Sequence, residues 1–302
     1  MKKILRVFFD LYIRDNKLLF SIFVRIYYYS GYFFYLFNIF LKKPYLGSYL
    51  FSDQESGRER QKIILNKIVK KIKKKKIKIL EIGVYCGQTT SNITNTIKEK
   101  NFEYTCVDIW KGFKFTDKNN DFQHKQMVYD LSSGRVYKLF LHNIKCIKNN
   151  FTGGGRIIIK KTSCQSFFKN NKKKFDLIII DASHKFRNVY EDIKSVKKIL
   201  NNLGFIIGDD YELEAKNFTF QELKKIKNTD LILSKKFNKT FHPGVTLAIK
   251  YLFKNLKNNK GLFCVRKVGN RYYDYFKSKY RKIPISFQNR HFRQRRLQRR
   301  KS

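Results

Sequence analysis

The scarcest thing in this sequence is negative charge. Only 23 Asp and Glu stand against 66 Lys and Arg in 302 residues, a formal charge of +43. Such an excess reads either as a drifted lysine-rich surface or as the mark of a polyanionic partner. Over the body of the chain the charge is spread along the sequence, which favours the first reading. The five cysteines (Cys86, Cys106, Cys146, Cys164, Cys264) lack metal-type pairing. Three fall in or beside expected core strands, so they read as reduced core residues of a cytoplasmic protein, not as a disulfide frame. No small-residue cleavage site follows the apolar N-terminal stretch, which argues against a removable signal peptide. The dinucleotide fingerprint G-x-G-x-x-G is absent too.

In its place stands Ile77–Thr90, IKILEIGVYCGQTT. Ile77, Ile79, Leu80 and Ile82 read as a buried strand with Glu81 near its end. Gly83 and Gly87 form a tight loop, and Thr89 and Thr90 open a helix. An apolar strand running into a glycine loop and a helix N-terminus is how open α/β folds receive a nucleotide-like cofactor. Glycine lets the backbone approach a ligand, and the helix start offers unpaired N–H donors.

From the N-terminus, residues 1–43 form an apolar, aromatic helical segment. Between Leu18 and Leu41 the only charge is Arg25, and Lys42 and Lys43 follow directly. The length suits a bilayer span, while the runs of Tyr and Phe suit an interface better than a hydrocarbon centre. Two alternatives stand: a segment lying on or spanning a membrane, and a helix pair packed on the domain or on the partner in a homodimer. Residues 44–57 read as a polar linker. Ile64, Ile68 and Ile72 then mark a helix over 58–73. Phe102–Val107 is a second strand ending at Asp108, placed to take the hydroxyls of a ribose. Residues 111–155 read as long, polar and irregular, with one helical piece around Val136–Ile144, in the manner of a substrate lid.

Ile157–Ile159 is a third strand, followed by Thr162, Ser163 and a short helix. Phe175–Ile180 (FDLIII) is apolar throughout, a strand buried on both faces, and it ends at Asp181. A helix follows, carrying Val189, Ile193 and Val196, and then a strand, Gly204–Ile207, ending at Asp209 and Asp210. Pro243 opens a further helix, and Leu262–Val268 is a late strand. Strand and helix alternate throughout, so the sheet is mainly parallel. Residues 58–269 are thus one α/β domain and 270–302 a basic tail. The last 24 residues hold ten Lys and Arg, seven of them arginine, and no acid. A contact with a polyanion or anionic lipid is one reading of that cluster; a solvated tail is the other.

Asp181, Asp209 and Asp210 all fall at the carboxyl ends of neighbouring strands, the edge where open α/β sheets bind ligands. Carboxylates gathered there repel one another unless a cation or shared protons intervene. Hard oxygen ligands of this kind suit Mg²⁺, which would ease loss of a hydroxyl proton. Strand-end aspartates can also simply cap the next helix. His184, three residues after Asp181, is placed to take a hydroxyl proton near neutral pH; His242 is the weaker second candidate.

The set ILEIGVYCGQTT, CVDIW, FDLIIIDASH, GFIIGDDY and FHPGVTLAI resembles the class I S-adenosylmethionine-dependent methyltransferases, within them methyltransferase family 24. That branch includes metal-dependent O-methyltransferases of macrolide sugars and cephalosporin-hydroxylase-like proteins. The resemblance spans roughly residues 60–268. It implies a Rossmann-like, seven-stranded sheet with helices on both faces and a reversed last strand. It also implies that Glu81, Gly83, Gly87 and Thr89 meet the cofactor and that Asp108 binds its ribose, with Ser163 beside the adenine. Asp181 would serve the cofactor and catalysis, and would hold Mg²⁺ with Asp209 and Asp210. His184 would be the general base. Ala182 stands where relatives often carry glycine, and the two termini have no counterpart in the resemblance.

The expectation is therefore an S-adenosylmethionine-dependent O-methyltransferase acting on a sugar or glycan hydroxyl, cytoplasmic or held at the cytoplasmic membrane face. An RNA methyltransferase ranks below it, because no RNA-binding module is evident and DASH stands where base N-methylation would need an N-P-P-Y-type signature. A non-catalytic membrane-associated binding protein on the same scaffold is the third reading.

Overall fold

The computed structural model describes residues 12–13, 16–46, 53–112 and 122–277. They fall into two compact units. The smaller takes the described residues before 57, with 85–88 and those from 110 to 149; the larger takes 57–84, 89–109 and 150–277.

The larger unit is built on strands β1 (Lys76–Ile82), β2 (Asn101–Asp108), β3 (Arg156–Lys161), β4 (Phe175–Ile180) and β5 (Leu200–Gly208). All five run parallel, in the spatial order β3-β2-β1-β4-β5. Every residue of β4 is buried. Successive side chains of a strand point to opposite faces, so both faces of the sheet are covered.

Two helices supply much of that cover: Phe186–Ile199 and Pro243–Phe253. Val189, Ile193 and Val196 of the first and Val245, Ala248 and Ile249 of the second share one core with Leu80, Ile82, Ile178, Ile180 and Ile206. Each fully buried Ile or Val there contributes about 1.5–3 kcal/mol.

Beyond β5 the chain departs from expectation. A separate hairpin of Ile232–Ser234 (β6) and Lys239–Phe241 (β7) stands outside the main sheet. β8 (Phe263–Val268) then pairs antiparallel with β5, and β9 (Arg271–Asp274) antiparallel with β8. The sheet thus has seven strands, but its reversed strand is the sixth in space. The seventh lies where the sequence reading had only a basic tail. Gly269, in the left-handed region at φ 58°, lets the chain turn tightly between the two strands. The tail from residue 278 onward lies outside the described residues, as do 47–52 of the linker and 113–121 of the expected lid.

The smaller unit contains one continuous helix, α1 (Lys17–Phe40), where a helix pair was one expectation. Asn16 starts it by accepting from the backbone N–H groups of Leu18 and Leu19. Gly31 does not interrupt it, because one helical glycine costs only about 1 kcal/mol. Among the described residues no helix is long and apolar enough to cross a membrane, which corrects the spanning alternative.

The segment 122–149 is also more helical than expected. α2 (Asp53–Lys70) and α3 (Gln88–Thr96) are followed by two helices, α4 (Phe122–Ser132) and α5 (Arg135–Lys148), turning at Gly134. On α5, Val136, Leu139, Phe140, Asn143, Ile144 and Ile147 are buried. Their helical spacing outweighs the polar composition around them. α2 reaches five residues into the supposed linker.

Candidate active site

Register brings the strand ends into line. Ile82 pairs with Ile180, and Ile180 with Gly208. The ladder continues one step further: the Asp181 N–H donates to Ile82 O at 2.8 Å and the Asp209 N–H to Ile180 O at 3.1 Å. Asp181 and Asp209 therefore stand on one edge because of strand pairing, not loop chance.

On the β1–β2 side, Gly83 has φ +81°, and a Cβ there would overlap the Asp181 carbonyl. Only glycine lets the loop pass the end of β4 so closely. The next residue, Val84, donates its N–H to Asp108 Oδ2 at 2.8 Å, so the strand-tip acid fastens the loop. Asp108 pairs in register with Lys161, which sets Ser163 just past the same edge. Ser163 caps the helix Cys164–Asn170, accepting from the Ser166 N–H. Thr89 is half-buried in the first turn of α3.

Glu81, at the end of β1, is held by its neighbours. It is fully buried, and its Oε2 accepts from Thr90 Oγ1 at 2.5 Å and Tyr104 OH at 2.7 Å. Burial pushes its carboxyl from 4.5 up to about 8, against the pull of those two hydroxyls. In the smaller unit, Gly87 (φ +84°) packs on the Phe140 ring, where a Cβ would come to 3.0 Å. Phe140 is stacked by Trp110, whose Nε1 donates to Tyr85 O at 2.8 Å.

On the β4–β5 side, one oxygen from each of Asp181, Asp209 and Asp210 lies within 4.8 Å of the others. Gln61 of α2 donates to both carboxylate oxygens of Asp209, at 2.7 and 2.8 Å, and the Asp210 N–H donates to Asp209 Oδ1 at 2.8 Å. Asp210 holds a left-handed backbone, φ +59°, uncommon for a non-glycine residue. Burial and the neighbouring charges of Asp210 and Asp181 push the Asp209 carboxyl well above its usual range. Three such acids do not all ionise together without a compensating cation. An all-oxygen donor set of this size and crowding fits a hard divalent ion such as Mg²⁺.

Two imidazoles close the cluster. His184 lies 2.9 Å from Asp210 Oδ2 through Nε2 and 2.9 Å from Asp230 Oδ1 through Nδ1. Burial would lower its pKa, but the two carboxylates overrule burial and raise it well above 6.5. His242, just before Pro243, sits with its Nδ1 2.9 Å from Glu212 and 3.6 Å from Asp210, its ring centroid 4.2 Å from that of His184. Gly244 permits this approach, since a Cβ there would overlap the His184 carbonyl.

Asp181, Asp209, Asp210, His184 and His242 are thus brought together as expected. Gln61, Glu212 and Asp230 were not expected. Glu212 had a signal, two residues after Asp210 in GDDYE; Gln61 and Asp230 belong to no motif.

Residues 80–211 match the family model of methyltransferase family 24, described as "Methyltransferase domain". The match bears out the reading of this chain as an S-adenosylmethionine-dependent methyltransferase. It encloses Glu81, Asp108, Ser163, Asp181, His184, Asp209 and Asp210, and excludes Gln61, Glu212, Asp230 and His242. No curated protein matches the chain.

Similar solved structures include the calicheamicin methyltransferase CalS11, at 11% identity over 68% of this chain and 74% of that one, TM-score 0.41. Another is the plantazolicin methyltransferase BpumL in complex with SAH, at 16% over 65% and 58%, TM-score 0.33. A third is a SAM-dependent methyltransferase from Agrobacterium tumefaciens, at 11% over 53% and 47%, TM-score 0.36. Likeness this weak carries no argument about substrate.

Proposed function

We propose, from the premise that residues 80–211 carry a family 24 methyltransferase domain, that the protein methylates a hydroxyl of a sugar or glycan-type acceptor. The observation that carries this reading is the meeting of Asp181, Asp209 and Asp210 with an imidazole braced from behind by Asp230. When bound, S-adenosylmethionine supplies an electrophilic methyl, and a divalent ion held by the three aspartates supplies positive charge beside the acceptor.

The chain's own part is positioning and proton transfer. Asp108 fixes the glycine loop through the Val84 N–H, presenting the strand edge to the donor. Asp230 holds the Nδ1–H of His184, which leaves Nε2 as the atom that takes a proton. For that, the imidazole that Asp210 and Asp230 hold protonated must first lose its Nε2 proton to solvent and exchange Asp210 for the acceptor hydroxyl. The hydroxyl proton then stays on Nε2 as the new C–O bond forms and the methyl–sulfur bond breaks. An aliphatic alcohol ionises far above neutral pH, so it needs such help. The sugar hydroxyl as acceptor is supported by the resemblance to sugar O-methyltransferases and by this alcohol-type chemistry.

The test is calorimetric titration with S-adenosylhomocysteine on wild type and Asp108→Ala, then radiolabelled methyl transfer to nucleotide-linked sugars with Mg²⁺ or with EDTA. Binding that is lost in Asp108→Ala, with transfer that EDTA abolishes, supports the reading. A folded wild type that binds no S-adenosylhomocysteine would sink it.

A further inference from the structure

Helix α1 carries a surface that the methyltransferase reading does not use. Half of the large apolar side chains exposed among the described residues, 11 of 22, lie between Leu18 and Leu41. The helix has two apolar faces. On one, Tyr32, Tyr35 and Ile39 pack with Tyr45, Cys86, Met127 and Leu139 of the same unit. On the other, Leu18, Ile22, Ile26, Tyr29, Phe33 and Phe40 are exposed, from 45% at Ile22 to 80% at Phe40. At helical spacing these six fall within a sector of roughly 80°, the width of a face meant to be covered. Soluble proteins rarely leave a contiguous stripe of that kind bare.

Charge decides what covers it. From Lys17 to Lys43 there is no acidic residue, and Lys17, Arg25, Lys42 and Lys43 bring four positive charges; Arg25, Lys42 and Lys43 are exposed. A second copy of the helix would set these cations against its own, within a chain already at +43. A bilayer rich in anionic lipid meets both features: the stripe enters the boundary between headgroups and acyl chains while the cations meet phosphate. The aromatic members suit that boundary. At 24 residues the helix is about 36 Å long, enough to lie along the surface, and it is not apolar enough to cross. We propose that α1 lies in the surface of an anionic membrane through the Leu18–Phe40 stripe and holds the full chain there peripherally.

The full-length protein would be floated with phosphatidylcholine vesicles, with and without about one third phosphatidylglycerol. The expected result is binding to the anionic vesicles, weakened at high salt, and a drop of about tenfold or more in Ile26→Glu/Phe33→Glu. Val268→Glu, which adds charge at an exposed residue elsewhere, should leave binding in place. As a check independent of the double variant's folding, Phe33→Trp should gain emission that brominated lipid quenches, beyond the wild-type level from Trp110. Failure of wild type to bind either vesicle overturns the proposal. Undiminished binding by the folded double variant overturns it as well, because charge elsewhere would then be sufficient. A lipid-free dimer that the double variant dissociates would assign the stripe to a second copy instead.

Discussion

The two halves of the sheet's carboxyl edge use the same residue type in opposite ways. On the β1–β2 half, Glu81 and Asp108 are answered from within the chain: Thr90 and Tyr104 donate to the first, the Val84 N–H to the second. On the β4–β5 half, Asp181, Asp209 and Asp210 crowd one another, while Gln61 donates to both oxygens of Asp209 and His184 lies 2.9 Å from Asp210 Oδ2. A buried acid with donors around it shapes the fold. Acids gathered against one another favour a bound cation or a shared proton.

That contrast can be broken at its joint. Gly83→Ala puts a methyl against the Asp181 carbonyl at φ +81° and should cost about 3 kcal/mol or more of stability, with cofactor binding lost. Denaturant unfolding and calorimetry read both. Near-wild-type stability would refute the close passage of the two halves.

On the β4–β5 half, His184→Ala should lower methyl transfer by about 100-fold or more while leaving S-adenosylhomocysteine affinity within about twofold. Parallel loss of both would instead make His184 a cofactor-site residue. Asp209→Asn sharpens the same side. It replaces the acid whose ionisation burial and its neighbours disfavour, so in EDTA the protein should be as stable as wild type or more so. Mg²⁺ should no longer raise its melting temperature, as it should for wild type. A lower melting temperature in EDTA would mean that the carboxylates support one another, contrary to the crowding described.

The β1–β2 half has its own signature in pH. The Glu81 carboxyl is raised from 4.5 to about 8 in the folded chain, so between those values the folded state holds a proton that the unfolded state has released. Its contribution is whole below 4.5 and is lost as pH rises towards 8, by up to about 1.4 kcal/mol per unit. Glu81→Gln should flatten that decline in chemical denaturation. An unchanged slope would place the titration elsewhere. The smallest effect expected is at Asp230: Asp230→Asn should reduce turnover only about tenfold, because it loosens the orientation of His184 without removing the base.

Much of this was legible in the chain. FDLIII had to be a doubly buried strand, and its end at Asp181 followed; GFIIGDDY set Asp209 and Asp210 in the same way. The glycine loop announced itself through Gly83. Other features were not legible. Glu81 lies on the strand the motif predicts, but its meeting with Tyr104, from another strand, is not encoded there. Of the two helices in 122–148, α5 showed in the sequence as the piece Val136–Ile144 and α4 not at all, and β9 was hidden by the basic residues around it.

The apolar runs and the acids that end them were determined by the sequence itself, because period-two burial and strand-end position are local properties. Which acids meet donors and which meet one another was decided only by tertiary structure. Gln61 and Asp230 reach the cluster from 148 and 46 residues away along the chain, and no local pattern encodes such a meeting.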